Sequence, residues 1–134
     1  MQTGGPVNPS AGEDRANVGR TYQRPDVNRN PNNGPKTPDQ WFDKAAFQRA
    51  ALYTYGNAGA YIIQGDGRQS LDISLGKNFI IKEGQRLELR GEFYNLPNHV
   101  NMNNPNTNYS SSSFGTITGA TAARQIQLAL RYAF

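Results

Sequence analysis

The side chains that could do chemistry in this sequence are few, and their spacing fails the chemistry each suggests. Asp26, Asn28 and Asn30 stand at i, i+2 and i+4, like the first oxygen ligands of a calcium loop. Such a loop also needs a glycine at its sixth place and a bidentate glutamate at its twelfth, where this chain has Pro31 and Thr37. His99 is the single histidine, and cysteine is absent. A His-based metal cluster, a His-dependent dyad, a thiolate site and a disulfide framework all fail on that count. The serines at 110–113 have no histidine near them in sequence and read as flexible loop. Gly65-Asp66-Gly67 belongs to no Walker or dinucleotide pattern and reads as a turn. The sequon Asn108-Tyr109-Ser110 is only formal in a bacterium. No enzymatic activity, cofactor or metal is expected.

Aromatic residues are the remaining candidates. Trp41, Phe42, Tyr53, Tyr55 and Tyr61 fall within one stretch of the chain. Exposed aromatic faces can grip a ligand, which makes these five candidate ligand contacts. Packing a loop onto a larger body is their plainer role.

Composition bounds what can hold them. The chain has 134 residues, enough for one domain, but only 36% are hydrophobic. With a mean hydropathy of −0.74, a well-filled soluble core is not expected. Most Leu and Ile lie between Tyr61 and Phe134. The chain up to Thr37 is rich in Asn, Pro, Gly and Arg and has little to bury. Such a segment cannot offset its ordering entropy without a larger host surface. The net charge is +4, but the Lys and Arg are scattered, with no basic run interleaved with aromatics, so no nucleic-acid partner is expected. No stretch approaches the roughly 18 apolar residues of a transmembrane helix. The opening Met1-Gln2-Thr3-Gly4-Gly5-Pro6 has neither the basic nor the apolar region of a signal peptide.

Residues 1–36, with Pro6, Pro9, Pro25, Pro31 and Pro35, read as loop. Thr37-Pro38-Asp39-Gln40 is a helix-start signal, with Thr37 as cap and Pro38 at the first helical position. A short helix over 38–48 is expected from it. From residue 69 the period becomes two. Over 70–81 the odd positions Leu71, Ile73, Leu75, Lys77, Phe79 and Ile81 alternate with Ser70, Asp72, Ser74, Gly76, Asn78 and Ile80. Over 86–95, Leu87, Leu89, Gly91 and Phe93 alternate with Arg86, Glu88, Arg90 and Glu92. Over 124–134, Ile126, Leu128, Leu130, Tyr132 and Phe134 alternate with Gln125, Gln127, Ala129, Arg131 and Ala133. These runs are longer than the usual soluble strand of about 5–6 residues and match the 9–11, roughly, of a tilted membrane-spanning strand.

The first two strands are joined tightly through residues 82–85. A three-residue connection, Glu83 to Gln85, keeps the apolar residues on one face, setting Ile81 opposite Leu87 and Phe79 opposite Leu89. The second and third strands are joined by a long Asn/Ser/Gly-rich loop over 96–123. Short turns at one end and long loops at the other are the pattern of outer-membrane barrels. In a barrel the apolar face meets lipid. The lumen then receives Asp72, Ser74, Asn78, Arg86, Glu88, Arg90, Glu92, Gln125, Gln127 and Arg131, where neighbouring strands can pair the opposite charges. Lys77 is the misfit of the lipid-facing set, eased by snorkelling of its long stem past a small Gly91 opposite.

The last alternation stops at Phe134. Ile126, Leu128, Leu130, Tyr132 and Phe134 form a terminal row that resembles the signal read by the barrel-assembly machinery of bacterial outer membranes. Earlier segments carry a second resemblance. Residues 35–47, with Trp41-Phe42 and Ala45-Ala46-Phe47, resemble the corresponding segment of TonB-dependent receptors of the Oar-like group. The similarity continues through Tyr55-Gly56-Asn57-Ala58-Gly59, residues 71–79, residues 89–99, Phe114-Gly115-Thr116-Ile117-Thr118 and residues 124–130. That resemblance implies a barrel of about 22 strands with a plug in its lumen and a TonB-coupling box near a far N-terminus. It also implies that Met1 is an internal or truncated start.

An all-β chain is therefore expected. Residues 1–68 would form an extracellular loop region with a short helix, and 69–134 the last three strands of a transmembrane β-barrel. Expected partners are outer-membrane lipid, the rest of the barrel and plug, the barrel-assembly machinery and, through the absent N-terminal parts alone, TonB. The expected location is the bacterial outer membrane. The alternative is a soluble β-sheet module binding carbohydrate or protein through its aromatics.

Overall fold

Side-chain alternation from residue 70 onward folds into three long antiparallel strands. The computed structural model describes residues 4–134; Met1, Gln2 and Thr3, which open the segment read for an export signal, lie outside the described residues. In chain order the strands are β1 (Pro6–Val7), β2 (Asp26–Val27), β3 (Phe47–Gln48), β4 (Ile63–Gln64), β5 (Ile73–Lys82), β6 (Gln85–Tyr94) and β7 (Gln125–Ala133). The helical elements among the described residues are two 3-10 turns, Pro31–Asn33 and Lys44–Ala46. The fold is all-β.

The chain divides into two compact units. Arg68–Asn101 and Thr121–Phe134 form a sheet unit, and the described residues 4–67 join Met102–Ala120 in a loop unit. In the sheet unit the order is β5-β6-β7, antiparallel throughout. The expected faces form, but the hairpin partners are shifted by two residues. Phe79 pairs with Leu87 and Lys77 with Leu89, while Lys82 pairs with Gln85 across a register shift between Ile80 and Lys82. Only Glu83 and Gly84 remain in the turn, with Gly84 at φ 79°, where glycine has no Cβ penalty. The irregularity at Ile81 absorbs the one-residue mismatch that a two-residue turn would otherwise impose. Gly91 consequently lies opposite Leu75 and Leu128, not Lys77.

In the loop unit, β1 pairs with β4 and β2 with β3, two residues each. These pairs frame a core of Trp41, Phe42, Ala46, Phe47, Ile63, Phe114 and Ile117. Phe42, Phe47 and Phe114 meet edge to face with centroids 5.0–5.6 Å apart, the arrangement ring quadrupoles favour. The middle of the long 96–123 connection thus supplies the core partner that the Asn- and Pro-rich arm lacks. Val7 and Val27 of that arm pack against the same core. Gly34 permits a close approach to this core: a Cβ there would sit 2.4 Å from the Cα of Phe42.

The helix expected over 38–48 does not form. Thr37 and Gln40 instead exchange backbone bonds of 3.1 Å, while the Trp41 and Asp43 amides donate to Gly115 O and Pro31 O, each at 2.8 Å. Asp43 caps the single turn Lys44–Ala46 by accepting from Ala45 N at 3.0 Å. On an α-helix, residues five apart point about 140° from one another, so Phe42 and Phe47 could not both reach Phe114. Burial of that aromatic cluster overrides the local capping signal.

Candidate functional site

The sheet unit presents two chemically opposite faces. Across its three strands the apolar rows are Ile73–Phe93–Ile126, Leu75–Gly91–Leu128, Lys77–Leu89–Leu130 and Phe79–Leu87–Tyr132. Such cross-strand neighbours are close enough to form a continuous strip. Leu75, Phe79, Leu89, Ile126, Leu128, Leu130 and Tyr132 are all exposed, Leu128 at 73%. Covering a side chain of this kind stabilises by about 1.5–3 kcal/mol, and this strip holds a run of them uncovered. Phe134, beyond the last paired residue of β7, is 94% exposed.

The opposite face carries Ser74–Glu92–Gln127, Gly76–Arg90–Ala129, Asn78–Glu88–Arg131 and Ile80–Arg86–Ala133. Charge pairing runs along β6 and not between strands. Arg90 Nη2 lies 3.2 Å from Glu88 Oε1 and Arg90 Nη1 lies 3.9 Å from Glu92 Oε1. The Tyr94 hydroxyl donates to Glu92 Oε2 at 3.0 Å. Pairs this exposed are worth at most about 1 kcal/mol each in water. Nine of the ten expected polar-face residues therefore share that face: Ser74, Asn78, Arg86, Glu88, Arg90, Glu92, Gln125, Gln127 and Arg131. Asp72 does not join them. It stands one residue before β5, and its carboxylate accepts from Asn95 N at 2.8 Å and from the Ser70 hydroxyl at 2.9 Å. An aspartate at a strand end is drawn to the nearest unpaired amide, a turn chemistry that alternation alone does not reveal.

The aromatic candidates separate by burial. Trp41 is buried, its indole N–H donating to Gln64 O at 2.8 Å, with Lys36 Nζ 5.3 Å from its ring centre. Phe42 is wholly buried. Neither can meet a ligand without unpacking the core, so the expectation that Trp41 and Phe42 contact a ligand does not hold. Tyr53, Tyr55 and Tyr61 are exposed.

The oxygen-rich residues serve the backbone. Asp26 accepts from Asn57 N at 2.8 Å, Asn57 returns a bond from Val27 N at 2.7 Å, and Asn30 caps Pro31–Asn33 through Asn32 N. Among the described residues no group of three or more His, Cys, Asp or Glu converges as a metal site would. No helix among them is long and apolar enough to cross a membrane. Asn95 and His99 close a turn in which His99 contributes only its backbone, donating to Asn95 Oδ1 at 3.1 Å.

With this geometry in view, the comparisons with known proteins give one result. A family model described as an outer membrane beta barrel domain matches residues 1–127. No curated protein and no solved structure matches the chain.

Proposed function

The chain belongs to the outer membrane β-barrel family, and from that premise we propose that it supplies the closing strands of a TonB-dependent receptor. Family membership gives a bacterial outer-membrane location. The observation that carries the proposal is the uncovered apolar strip on three strands of nine to ten residues, backed by a charged face. Strands of that length, alternating in this way, suit a tilted span with lipid outside and a polar lumen within. Arg86, Glu88, Arg90, Glu92 and Arg131 are then lumen residues facing the plug. The Oar-like resemblance of residues 35–47, 71–79 and 89–99 supports the receptor assignment over other barrels of the family. A soluble module would need a second apolar sheet to cover the strip, and the other sheets of the described chain are two-residue pairs.

An assembly role for Ile126, Leu128, Leu130, Tyr132 and Phe134 is part of the same proposal. Strand β7 is an edge of its sheet with its apolar row exposed, so its free backbone can be captured by strand addition and then close a barrel. The test of the receptor assignment is to sequence the reading frame on the 5′ side of the Met1 codon. Further amphipathic strands, a plug and a TonB-coupling segment in frame are expected. An in-frame stop followed by a ribosome-binding site would overturn the assignment.

A further inference from the structure

Within the loop unit, the segments around residues 20–24 and 55–56 enclose an open groove of about 510 Å³, within the roughly 300–1,000 Å³ typical of small-molecule sites. Its lining brings together two guanidinium groups, Arg20 and Arg24, and two phenols, Tyr22 and Tyr55, with Gln23 and Gly56 between them. Among the described residues no carboxylate lines it. Among the described residues, neither Arg20 nor Arg24 has a carboxylate within salt-bridge distance. Tyr22 is 94% exposed and Tyr55 is exposed as well.

The groove is built on held backbone. Asp14 accepts from Val18 N at 3.1 Å and Gly19 N at 2.6 Å, and it also takes a bond from the Gln23 amide. Gln23 Oε1 in turn accepts from Arg15 N and Ala16 N, each at 3.0 Å. On the other wall, Ala58 N donates to Pro25 O at 3.1 Å and Arg24 Nη1 donates to Ala58 O at 3.2 Å. Gly56 lets the walls meet, since a Cβ there would fall 2.1 Å from Arg24 O. The Asp14 carboxylate is thus engaged in holding the loop. Among the described residues, the guanidinium of Arg20 makes no ion pair and the rings of Tyr22 and Tyr55 meet no other aromatic ring.

We propose that this groove binds a small organic anion carrying a carboxylate on a flat or ring-shaped body. A guanidinium fork matches a carboxylate in geometry and charge, and a tyrosine face covers the apolar side of a ring at little conformational cost. The site belongs to the loop unit and does not depend on the receptor assignment. Two kinds of molecule share this chemistry, aromatic acids and uronic-acid sugars.

The full chain in detergent micelles is titrated calorimetrically with 2-naphthoate and with a galacturonate trimer. Their neutral counterparts, 2-naphthalenemethanol and a galactose trimer, serve as controls. At least one acid is expected to bind, its neutral counterpart at least tenfold more weakly. Binding should weaken at least tenfold in Arg20→Gln and in Tyr22→Ala. Both positions are exposed, and retained Trp41 fluorescence verifies that each variant is folded. Binding of the naphthoate alone assigns an aromatic acid, of the galacturonate alone a sugar acid, and of both the shared chemistry. No binding of either acid at millimolar concentration overturns the proposal, as does equal binding of the neutral partner or binding unchanged by both substitutions.

Discussion

Phe42 shows at the residue scale what holds the loop unit together. Its ring is fully buried and meets Phe47 and Phe114 edge to face, so truncation leaves a cavity between those two rings. Phe42→Ala is expected to cost about 3–5 kcal/mol, read as a fall in the denaturant midpoint of Trp41 fluorescence. Asp43 gives a pH-dependent counterpart. The hydrogen bond from Arg29 Nε, at 2.6 Å, holds its carboxyl below the ordinary carboxylate range. A depressed folded-state pKa contributes stability that is present above the unfolded value of about 3.9 and is lost as pH falls through the folded one. An acid titration followed by Trp41 fluorescence should therefore show a loss of stability below about pH 4, and this limb should flatten in Asp43→Asn. The candidate residues were legible to different degrees for a physical reason. Alternation marked the strand residues, because a face needs no partner to be read. Burial of Trp41 and Phe42 depends on Phe114, which lies 72 positions beyond Phe42, and no local pattern carries that contact.

At the scale of elements, β5, β6 and β7 fall within three residues of the alternating runs 70–81, 86–95 and 124–134, and the short helix does not form. A period-two pattern over ten residues is reinforced at every step by its neighbours across the sheet. The capping signal at residues 37–40 is a single local preference, and the amides of Trp41 and Asp43 are better satisfied by Gly115 and Pro31. The hairpin is a finer case. Its faces were legible, but its register was not, because the irregularity at Ile81 restores the faces with a shorter turn. Lys77 sits midway along β5 in the apolar row, opposite Leu89. If that row faces lipid, the cation costs about 2–4 kcal/mol at the midplane. Lys77→Leu should therefore stabilise the chain refolded into bilayers by up to about that amount. Urea unfolding from liposomes measures it, and an unchanged midpoint would put Lys77 at the membrane surface. Gly84→Ala, at φ 79°, should destabilise the hairpin by about 1–2 kcal/mol without altering either face.

The whole molecule joins a loop unit with its own core to a sheet unit without one. That division follows from where the apolar residues fall. In the loop unit, residues from distant parts of the chain close over Phe42; in the sheet unit, most apolar side chains of the long strands lie in a single strip, with Ile80 an exception on the opposite face. A lone sheet with one uncovered apolar face is not independently stable in water, so the isolated chain is expected to aggregate on dilution from urea into buffer and to stay dispersed in detergent. A monodisperse detergent-free monomer by size-exclusion chromatography would contradict that expectation. On the proposed reading the two faces of the sheet meet different surroundings, lipid on one side and a polar lumen on the other. The chain has no cysteine, so single cysteines can be placed cleanly along β6 at residues 86–93 and spin-labelled in the membrane-inserted protein. The decisive measurement is their relative accessibility to oxygen, which concentrates in lipid, and to a water-soluble nickel reagent. Labels at Leu87, Leu89, Gly91 and Phe93 should favour oxygen and those at Arg86, Glu88, Arg90 and Glu92 nickel, with a strict period of two. Equal nickel access on both faces, or alternation in the opposite phase, would contradict the membrane-spanning sheet.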